Sequence, residues 1–247
     1  MALQEEHNMH PCETCALRKQ ALFTPFSSTD LEFMKAFRAG DVVLQAGEAL
    51  YYEGDENAYF FTAKEGQGAR FKYLANGERQ LVNFIFPGDV VGLQGMLSGT
   101  ASTTAIAASP MVLCRFNKSD LPELFRDNPD RAYALTWIAA IEEHFLGETI
   151  ATLGQRSAAQ RMAWALLKIH SRLAAINLAP QGIAYFPFKQ RDLADALGLS
   201  LVHTNKTLAR LRAYVNWDNG NLKILDMEGL AEIAMTELEA PQCRPLL

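Results

Sequence analysis

Several features that would place this chain in a membrane, a secreted compartment or a common enzyme class are absent from its sequence. No apolar run approaches the roughly 18 residues that a membrane-spanning helix needs. The first residues lack the charged-then-apolar order of a secretory signal. A Gly-rich phosphate loop, a nucleophile elbow and a paired-histidine metal motif are also missing. We therefore expect a cytoplasmic protein that makes no membrane contact and is not an enzyme.

Cysteine and positive charge are both scarce. Four cysteines in 247 residues indicate thiol, metal or redox chemistry rather than a disulfide framework in a cytoplasmic protein. The 23 Lys and Arg residues are outnumbered by 28 Asp and Glu, giving a net charge of −5, which argues against nucleic-acid binding by the whole surface. Between Lys189 and Leu225, however, six basic residues stand against three acidic ones. A confined DNA-contacting face in an acidic protein requires such a basic stretch.

The first half of the chain has the pattern of an antiparallel β-protein. Short apolar or alternating runs separated by turn residues fill 40–116, and Asn76-Gly77 between two of them is a strong hairpin signal. About eight such strands predict a sandwich or barrel. Ahead of them, Thr29 and Glu32 have the spacing of a capping box that would begin a short helix.

A long helical pattern follows Asn128-Pro129-Asp130 and runs without Gly or Pro until Gly147. Some 25 residues would extend about 37 Å. Two offset apolar stripes predict that this helix packs on its own sheet domain and on a symmetry mate; the alternative is a helix wholly buried in one large domain. Four residues of the stripes are assigned to the dimer interface: Ile138, Ile141, Phe145 and Leu153.

The C-terminal third carries the features of a winged helix-turn-helix in chain order. A first helix over Lys189–Leu197 ends at Gly198, which suits the tight turn between two steeply crossing helices. Ser200 is placed to cap a second helix over 201–214. Asn219-Gly220 then lies between two short runs that would form a hairpin wing. The alternative is a generic pair of surface helices whose basic residues are only solvated.

The second of these helices is the part that would enter a major groove. Asn205 is predicted to read adenine and Lys206 to read guanine. Leu201 or Val202 would contact a thymine methyl group. The two arginines beyond them are predicted to contact phosphates. In all, ten residues are predicted to contact DNA: Lys189, Gln190, Ser200, Leu201, Val202, His203, Asn205, Lys206, Arg210 and Arg212.

Three side chains of that second helix are predicted to be buried. They are Thr204, Leu208 and Leu211, which recur at the spacing of one helix face. The residues on the other face, from Val202 to Arg210, are predicted to be exposed.

Four segments taken together resemble the catabolite-activator/FNR (CRP/FNR) family of bacterial regulators. They are Pro87-Gly88-Asp89-Val90-Val91-Gly92-Leu93, Asn128-Pro129-Asp130, Gln160-Arg161-Met162-Ala163 and Leu197-Gly198-Leu199-Ser200. The resemblance extends from about Phe23 to Ala234. It implies an α+β fold: an N-terminal antiparallel β-roll of the cyclic-nucleotide-binding jelly-roll type, a long central dimerisation helix and a C-terminal winged helix-turn-helix.

The same resemblance implies four parts and their partners. These are an N-terminal arm (1–22), a β-roll sensor domain (23–130), a dimerisation helix (131–157) and a DNA-binding domain (158–247). The implied function is that of a transcriptional regulator: a homodimer that binds a palindromic operator in duplex DNA and contacts RNA polymerase.

The sensor departs from the members that bind cyclic nucleotides. Those members hold the ribose with a Gly-Glu pair and the phosphate with an Arg-Ser pair, because a half-buried phosphodiester favours a bidentate guanidinium. Here Leu93 replaces Glu and Ser102 replaces Arg, and Leu146-Gly147 replaces a polar pair on the central helix. Cyclic AMP is therefore not the expected effector. A pocket for another effector would be lined by Gly92, Leu93, Gln94, Met96, Ser102, Thr103 and Leu146.

Cys12, Cys15 and Cys114 resemble the cluster-ligating cysteines of the oxygen sensor FNR. Iron–sulfur clusters normally need four thiolates, and Ala21 stands where a further N-terminal cysteine would fall. His10 or a carboxylate would then be the fourth ligand, and the protein would be an oxygen or nitric-oxide sensor. Cys243 lies in the C-terminal tail and is predicted to be far from the arm.

Other uses of the arm and of the histidines stay open. Zinc could be held by His7, His10, Cys12 and Cys15, or the two cysteines could form a regulatory dithiol. Haem could use His144 or His170 as an axial ligand. Alternatively, the arm only packs on the β-roll and Cys114 is a small apolar side chain, in which case the protein binds DNA with a vestigial sensor.

Overall fold

The computed structural model describes residues 5–6, 11–95 and 99–247, and it divides the chain into two compact units. The first unit comprises Met1–Glu142 and Cys243–Leu247, and the second comprises Glu143–Gln242. In these described ranges, every helix is too short or too polar to cross a membrane.

The first unit contains two antiparallel sheets. A five-stranded sheet has the order β1-β2-β9-β4-β7 and a four-stranded sheet the order β3-β8-β5-β6. The predicted antiparallel β-roll is thus confirmed. The strands are β1 (Glu5–Glu6), β2 (Arg38–Leu44), β3 (Ala49–Tyr51), β4 (Tyr59–Glu65), β5 (Gly68–Tyr73), β6 (Arg79–Ile85), β7 (Val90–Val91), β8 (Thr104–Ala107) and β9 (Met111–Asn117).

The hairpin predicted at Asn76-Gly77 joins β5 to β6. The Leu74 amide donates to the Glu78 carbonyl at 2.8 Å, and Gly77 adopts a φ of +84°. A β-turn of this kind favours glycine because other residues are strained at positive φ. The prediction of a hairpin at this point is confirmed.

Three α-helices belong wholly or partly to the first unit: α1 (Ser28–Phe37), α2 (Leu121–Asp127) and α3 (Pro129–Gln155). The capping box of α1 was predicted at Thr29 and Glu32, and this is wrong. Ser27 is the N-cap, and Asp30 completes the box by accepting from the Ser27 amide at 3.0 Å. The shorter Asp carboxylate performs the role that sequence patterns usually give to Glu or Gln.

Aromatic side chains dominate the core between the five-stranded sheet and the helices. The ring of Phe116 stacks on Phe60 at 5.2 Å and on Phe37 at 5.6 Å between centroids. Leu121 and Leu135, from α2 and α3, join the same buried cluster. Burial of these side chains is the main force that holds the helices to the sheet.

The long helix begins two residues before its predicted start and ends at Gln155, two residues before its predicted end. Its 27 residues correspond to about 40 Å of length. Along the helix the chain passes from the first unit to the second, at Glu142 and Glu143.

The second unit combines five α-helices, counting the end of α3, with a small sheet. The other helices and strands of this unit are α4 (Ala158–Ala175), β10 (Ile183–Tyr185), α5 (Gln190–Leu197), α6 (Leu201–Arg210), β11 (Val215–Asp218), β12 (Asn221–Ile224) and α7 (Met227–Ala234). The sheet has the order β10-β12-β11, so the predicted wing hairpin is confirmed. Strand β10 pairs with this wing, a pairing that the sequence pattern did not indicate.

The last five residues pack within the first unit. The Arg244 amide donates to the Leu22 carbonyl at 2.8 Å, and the Thr24 amide donates to the Arg244 carbonyl at 2.9 Å. Leu246 and Leu247 are buried. The prediction that Cys243 lies far from the arm is wrong, because its sulfur is 3.6 Å from the Thr24 hydroxyl oxygen, only two residues past the arm.

Candidate nucleic-acid interface and sensor domain

A tight turn at Gly198 joins α5 to α6. Gly198 has a φ of +61° and ends α5 in the left-handed region, where glycine is favoured. The Leu199 amide donates to the Ala194 carbonyl at 3.0 Å. From α4, Arg161 donates through Nη1 to the Leu197 carbonyl at 3.1 Å. The turn is therefore held both by its own backbone and by a side chain from another helix.

Both helices of the pair are capped at their N-termini. The Lys189 amide donates to Asp192 Oδ2 at 2.8 Å at the start of α5. The Ser200 hydroxyl accepts from the His203 amide at 3.2 Å at the start of α6, as the sequence predicted. Such caps satisfy amides that the helix itself leaves without partners.

The two faces of α6 differ as predicted, with one adjustment. Thr204 and Leu211 are buried, but Leu208 is half-buried and Thr207 is buried beside it. Helix α6 also ends at Arg210 rather than at 214, because the Leu211 amide donates to the carbonyls of both Thr207 and Leu208 and the backbone tightens into a turn. The exposed residues on the other face are Leu201, Val202, His203, Asn205, Lys206, Ala209 and Arg210.

The cations of this surface have no acidic partners. Among the described residues, Lys206, Arg210 and Arg212 make no ion pair, and all three are exposed. Lys189 and Gln190, at the start of α5, are exposed as well. A cation that no neighbouring carboxylate neutralises is available to a phosphate or a base.

An aromatic cluster supports the wing. The ring of Phe186 lies 5.3 Å from that of Trp217 and 4.7 Å from that of Phe188, measured between centroids. Phe186 itself is fully buried. The turn between β11 and β12 uses Asn219 and Gly220, both at positive φ, as type I′ hairpins require. The wing is thus anchored to the chain segment that leads into α5.

The predicted effector residues do not all lie in one cleft. Gly92, Gln94, Ser102 and Thr103 line a narrow cleft in the first unit. Leu93 instead packs against the aromatic core. Met96 lies outside the described residues, and Leu146 lies on α3 in the second unit.

Side chains fill this cleft closely. Its walls enclose about 200 Å³ of space that is partly open to solvent, and the described residues leave no room inside for a water-sized sphere. The Lys118 ammonium donates to the Asn57 carbonyl across it, and burial lowers the pKa of Lys118. No guanidinium lines this cleft among the described residues.

The two cysteines of the arm lie in and directly after one short 3-10 turn. Cys12 lies in the turn Cys12–Thr14 and Cys15 directly follows it, and both are half-buried. Arg38 lies with Nη1 at 4.0 Å from the Cys12 sulfur and is ion-paired with Asp41. The sulfur of Cys12 is therefore close to a buried cation.

Cys114 sits on β9, directly opposite Asp41 of β2 and Thr62 of β4. Burial of its sulfur raises the pKa of Cys114 to about 12, although the positive charges of Lys64 and Arg38 oppose the shift. Within the described ranges, no three His, Cys, Asp or Glu side chains form a group that could hold a metal ion. His7 and His10 lie outside those ranges. The described donors therefore do not fit a cluster or a zinc ion.

The two histidines considered for haem are both in the second unit. His170 is buried, and its Nε2 shares a hydrogen bond of 3.0 Å with the Gly182 carbonyl. His144 is exposed on α3. The bond to Gly182 gives His170 a role in packing α4 against the chain that leads to β10.

Of the four side chains predicted to form a dimer interface, some pack inside the protomer and others are exposed to solvent. Ile138 packs against the aromatic core of the first unit, and Phe145 stacks on Trp164 at 5.9 Å. Leu153 is half-buried, whereas Ile141 is exposed. Ile150 was not among the predicted interface residues. It is 71% exposed and lies between Gly147 and Gly154 along the helix.

Two family models match the chain. The cyclic nucleotide-binding domain matches residues 41–128, and the Crp-like helix-turn-helix domain matches residues 160–233. They correspond to the β-roll and to the helical pair with its wing.

Three known proteins show the extent of the similarity. The nitrogen fixation regulation protein FixK of Bradyrhizobium diazoefficiens is 30% identical over 224 residues, covering 90% of this chain and 92% of FixK. The transcriptional activator protein FnrL of Cereibacter sphaeroides is 26% identical, with 83% and 82% covered. The structure of FixK2 from Bradyrhizobium japonicum superposes with a TM-score of 0.71 at 24% identity, covering 81% of this chain and 98% of that one. This chain therefore belongs to the CRP/FNR family of DNA-binding transcriptional regulators.

Proposed function

We propose that the chain acts as a homodimer on a palindromic operator, with α6 of each protomer in a major groove. The observation that carries the proposal is the solvent-exposed face of α6 that includes Val202, His203, Asn205 and Lys206. Asn205 and Lys206 have the donors and acceptors for bidentate readout of adenine and for contact with guanine. Leu201 and Val202 offer apolar surface to thymine methyl groups.

The remaining cations and polar groups of the surface contact the DNA backbone. Arg210 and Arg212 lie at and beyond the end of α6, and Lys189, Gln190 and Ser200 lie at helix starts. Amides and cations at such positions bind phosphates and fix the register of a protein on duplex DNA. This activity is binding rather than catalysis.

The second unit's part of α3 supplies a dimer seam. Ile150 is exposed, and a side chain added at Gly147 or Gly154 would meet no atom within 4 Å. Small residues let two helix backbones approach closely, and an exposed isoleucine between them gives apolar surface to bury. Ile141, exposed in the first unit, is a further candidate contact.

The effector is not cyclic AMP. Among the described residues no guanidinium lines the cleft, and Leu93 and Ser102 stand where a cyclic nucleotide would need Glu and Arg. The arm with Cys12 and Cys15 is a second candidate input, through thiol chemistry or through a ligand set completed by residues outside the described ranges.

The output is transcriptional activation through contact with RNA polymerase. The relatives FnrL and anr are named transcriptional activators, and their named role supports the same role for this chain.

Gel mobility shift with the full chain tests the proposal. A duplex selected from a random library should shift at nanomolar protein, and Ile150→Glu should prevent both dimer formation in sedimentation and the shift. Glu148→Gln, a charge change on the same helix, serves as the matched control. A wild-type protein that sediments as a monomer while it binds the selected duplex would contradict the dimer.

A further inference from the structure

Two buried donors converge on one carboxylate inside the first unit. Arg70 on β5 and Asn83 on β6 are direct partners in strand register, and each is only 4% exposed. Arg70 donates through Nη2 to Oε1 of Glu142 on α3. Asn83 donates through Nδ2 to Oε1 at 3.1 Å and to Oε2 at 3.4 Å. The sheet thus presents a guanidinium and an amide to a single carboxylate.

The donors belong to the sheet, whereas the carboxylate comes from outside it. The Glu142 side chain is 29% exposed, against 5% for that of Arg70. A buried guanidinium without an anion is strongly unfavourable, so this position requires some carboxylate or other anion at all times. Because Glu142 is the more exposed of the two charged side chains, it is the exchangeable member of the group.

One polar atom of the group lacks a partner. Oδ1 of Asn83 is buried and accepts no hydrogen bond from the described residues. Buried acceptors are rarely left unpaired, and an unpaired one beside a charged pair marks a position where a ligand's donor would be favourable. The carboxylate oxygens of Glu142 act only as acceptors and offer it no donor.

The group is linked to the cleft described above. Tyr51 and Thr103 both line that cleft, and the Tyr51 hydroxyl is hydrogen-bonded to Thr103 and lies within range of the Arg70 charge. Burial raises the pKa of Tyr51, while Arg70 and Thr103 oppose the shift. Tyr51 therefore stays a neutral donor within range of the Arg70 charge.

We infer that Arg70 and Asn83 form a receptor for a small-molecule carboxylate, and that Glu142 occupies this receptor when no effector is bound. The inference rests on the proposed function, since it names the effector class of that regulator. An effector carboxylate takes the place of the Glu142 carboxylate on Arg70. Glu142 is the last residue of the first unit and Glu143 the first of the second. Displacement therefore releases α3 at the residue where the chain leaves the sensor.

Chemical complementation of Glu142→Ala in the full chain tests the receptor. Acetate supplies the carboxylate and methylene carbon that this substitution removes. We expect acetate to raise the melting temperature of Glu142→Ala in a saturable manner, beyond the effect of chloride at equal ionic strength, while neutral acetamide has none. The wild type should bind acetate at least about tenfold more weakly, because its own carboxylate competes at an effective concentration in the millimolar range or above.

Two further variants make the outcome decisive. The double variant Glu142→Ala/Arg70→Met should lose the response to acetate, and Glu143→Ala, which changes an exposed neighbour, should behave like the wild type. If Glu142→Ala does not fold, Glu142→Ser, which leaves nearly the same space for acetate, replaces it. A Glu142 variant that responds to acetate no more than to chloride, or a double variant that still responds, would overturn the receptor.

The link to DNA is measured separately. In saturating acetate, Glu142→Ala should bind a selected operator with an affinity that differs from the wild type by about fivefold or more, the range of allosteric coupling. An unchanged affinity overturns the regulatory role of the site. Failure of the wild type to bind any operator would instead remove the proposed function, while acetate binding at Arg70 is scored without DNA.

Discussion

The guanidinium of Arg161 on α4 donates to the carbonyl of Leu197, the last residue of α5, at 3.1 Å. Its Nε also donates to the Arg156 carbonyl at 2.8 Å. One side chain thus fixes the end of α5 and, through the turn at Gly198, the start of α6. The position of α6 is set by a residue that lies outside the helical pair.

Loss of this guanidinium should loosen the second unit. We expect Arg161→Met to lower the free energy of unfolding by about 1–3 kcal/mol, because it removes hydrogen bonds to backbone carbonyls. Urea denaturation followed by the fluorescence of Trp164 and Trp217 measures the change. Arg212→Met, at an exposed position, is the control and should unfold as the wild type does. Equal stability of the two variants would contradict the role given to Arg161.

Lys206 and Arg212 should affect DNA binding in different ways. Lys206→Ala is expected to weaken binding to the preferred operator by about 1–3 kcal/mol and to leave non-specific binding nearly unchanged, because a lost base contact acts on discrimination. Arg212→Ala should weaken binding to all sequences. It should also reduce the slope of the logarithm of the binding constant against the logarithm of the salt concentration by the equivalent of about one phosphate contact. Titrations at several salt concentrations separate the two. Indistinguishable effects would mean that the assignment of base and phosphate contacts is wrong.

Gly88 should tolerate a side chain less well than Gly47. Both have a φ near +90°, so alanine strains the backbone at either position, but only at Gly88 would the added Cβ collide with the Phe23 ring. At Gly47 it would meet no atom within 4 Å. We expect Gly88→Ala to be the more destabilising by at least about 1 kcal/mol. A smaller or reversed difference in thermal unfolding would show that Phe23 does not pack on this turn.

The tail should contribute to the stability of the first unit. Leu246 is 3% exposed, and its carbonyl accepts from Nη1 of Arg131 at 3.1 Å. Leu246→Ala should cost about 2–5 kcal/mol, the usual range for a buried leucine. Leu238→Ala, at a position that is 49% exposed, is the matched control. If both variants unfold alike, the last residues do not pack as described.

Cys114 should resist alkylation. Its pKa is raised to about 12 by burial, so the thiol is almost entirely protonated at pH 8. The thiolate, which is the reactive form, is therefore scarce at that pH. Mass spectrometry of the folded protein treated with iodoacetamide should find the exposed Cys243 modified well before Cys114. Modification of both at one rate would indicate that the sulfur of Cys114 is not buried.

Local patterns in the sequence were sufficient for the elements that depend on near neighbours. The Asn76-Gly77 hairpin, the Gly198 turn and the Ser200 cap were predicted because each is decided by residues within a few positions of one another. The capping box of α1 was predicted at the wrong residues for a related reason. Asp30 can fill the place of Glu, and the usual pattern does not include it.

Contacts between distant segments could not be predicted in this way. Arg70 alternates with apolar residues on β5 and Glu142 lies in a polar stretch of α3, so both have the pattern of solvent-facing side chains. Only the fold brings them together. The return of residues 243–247 to the first unit is likewise a packing preference that leaves no periodic pattern in five residues.

The account rests most on the claim that the exposed face of α6 selects a DNA sequence. Repeated selection from a random duplex library with the wild type and with Lys206→Ala tests it most directly. The wild type should enrich a two-fold symmetric sequence whose half-sites are about one helical turn apart, and Lys206→Ala should lose the preference at one base pair of each half-site. An identical motif from both proteins, or no enrichment with the wild type, would contradict it.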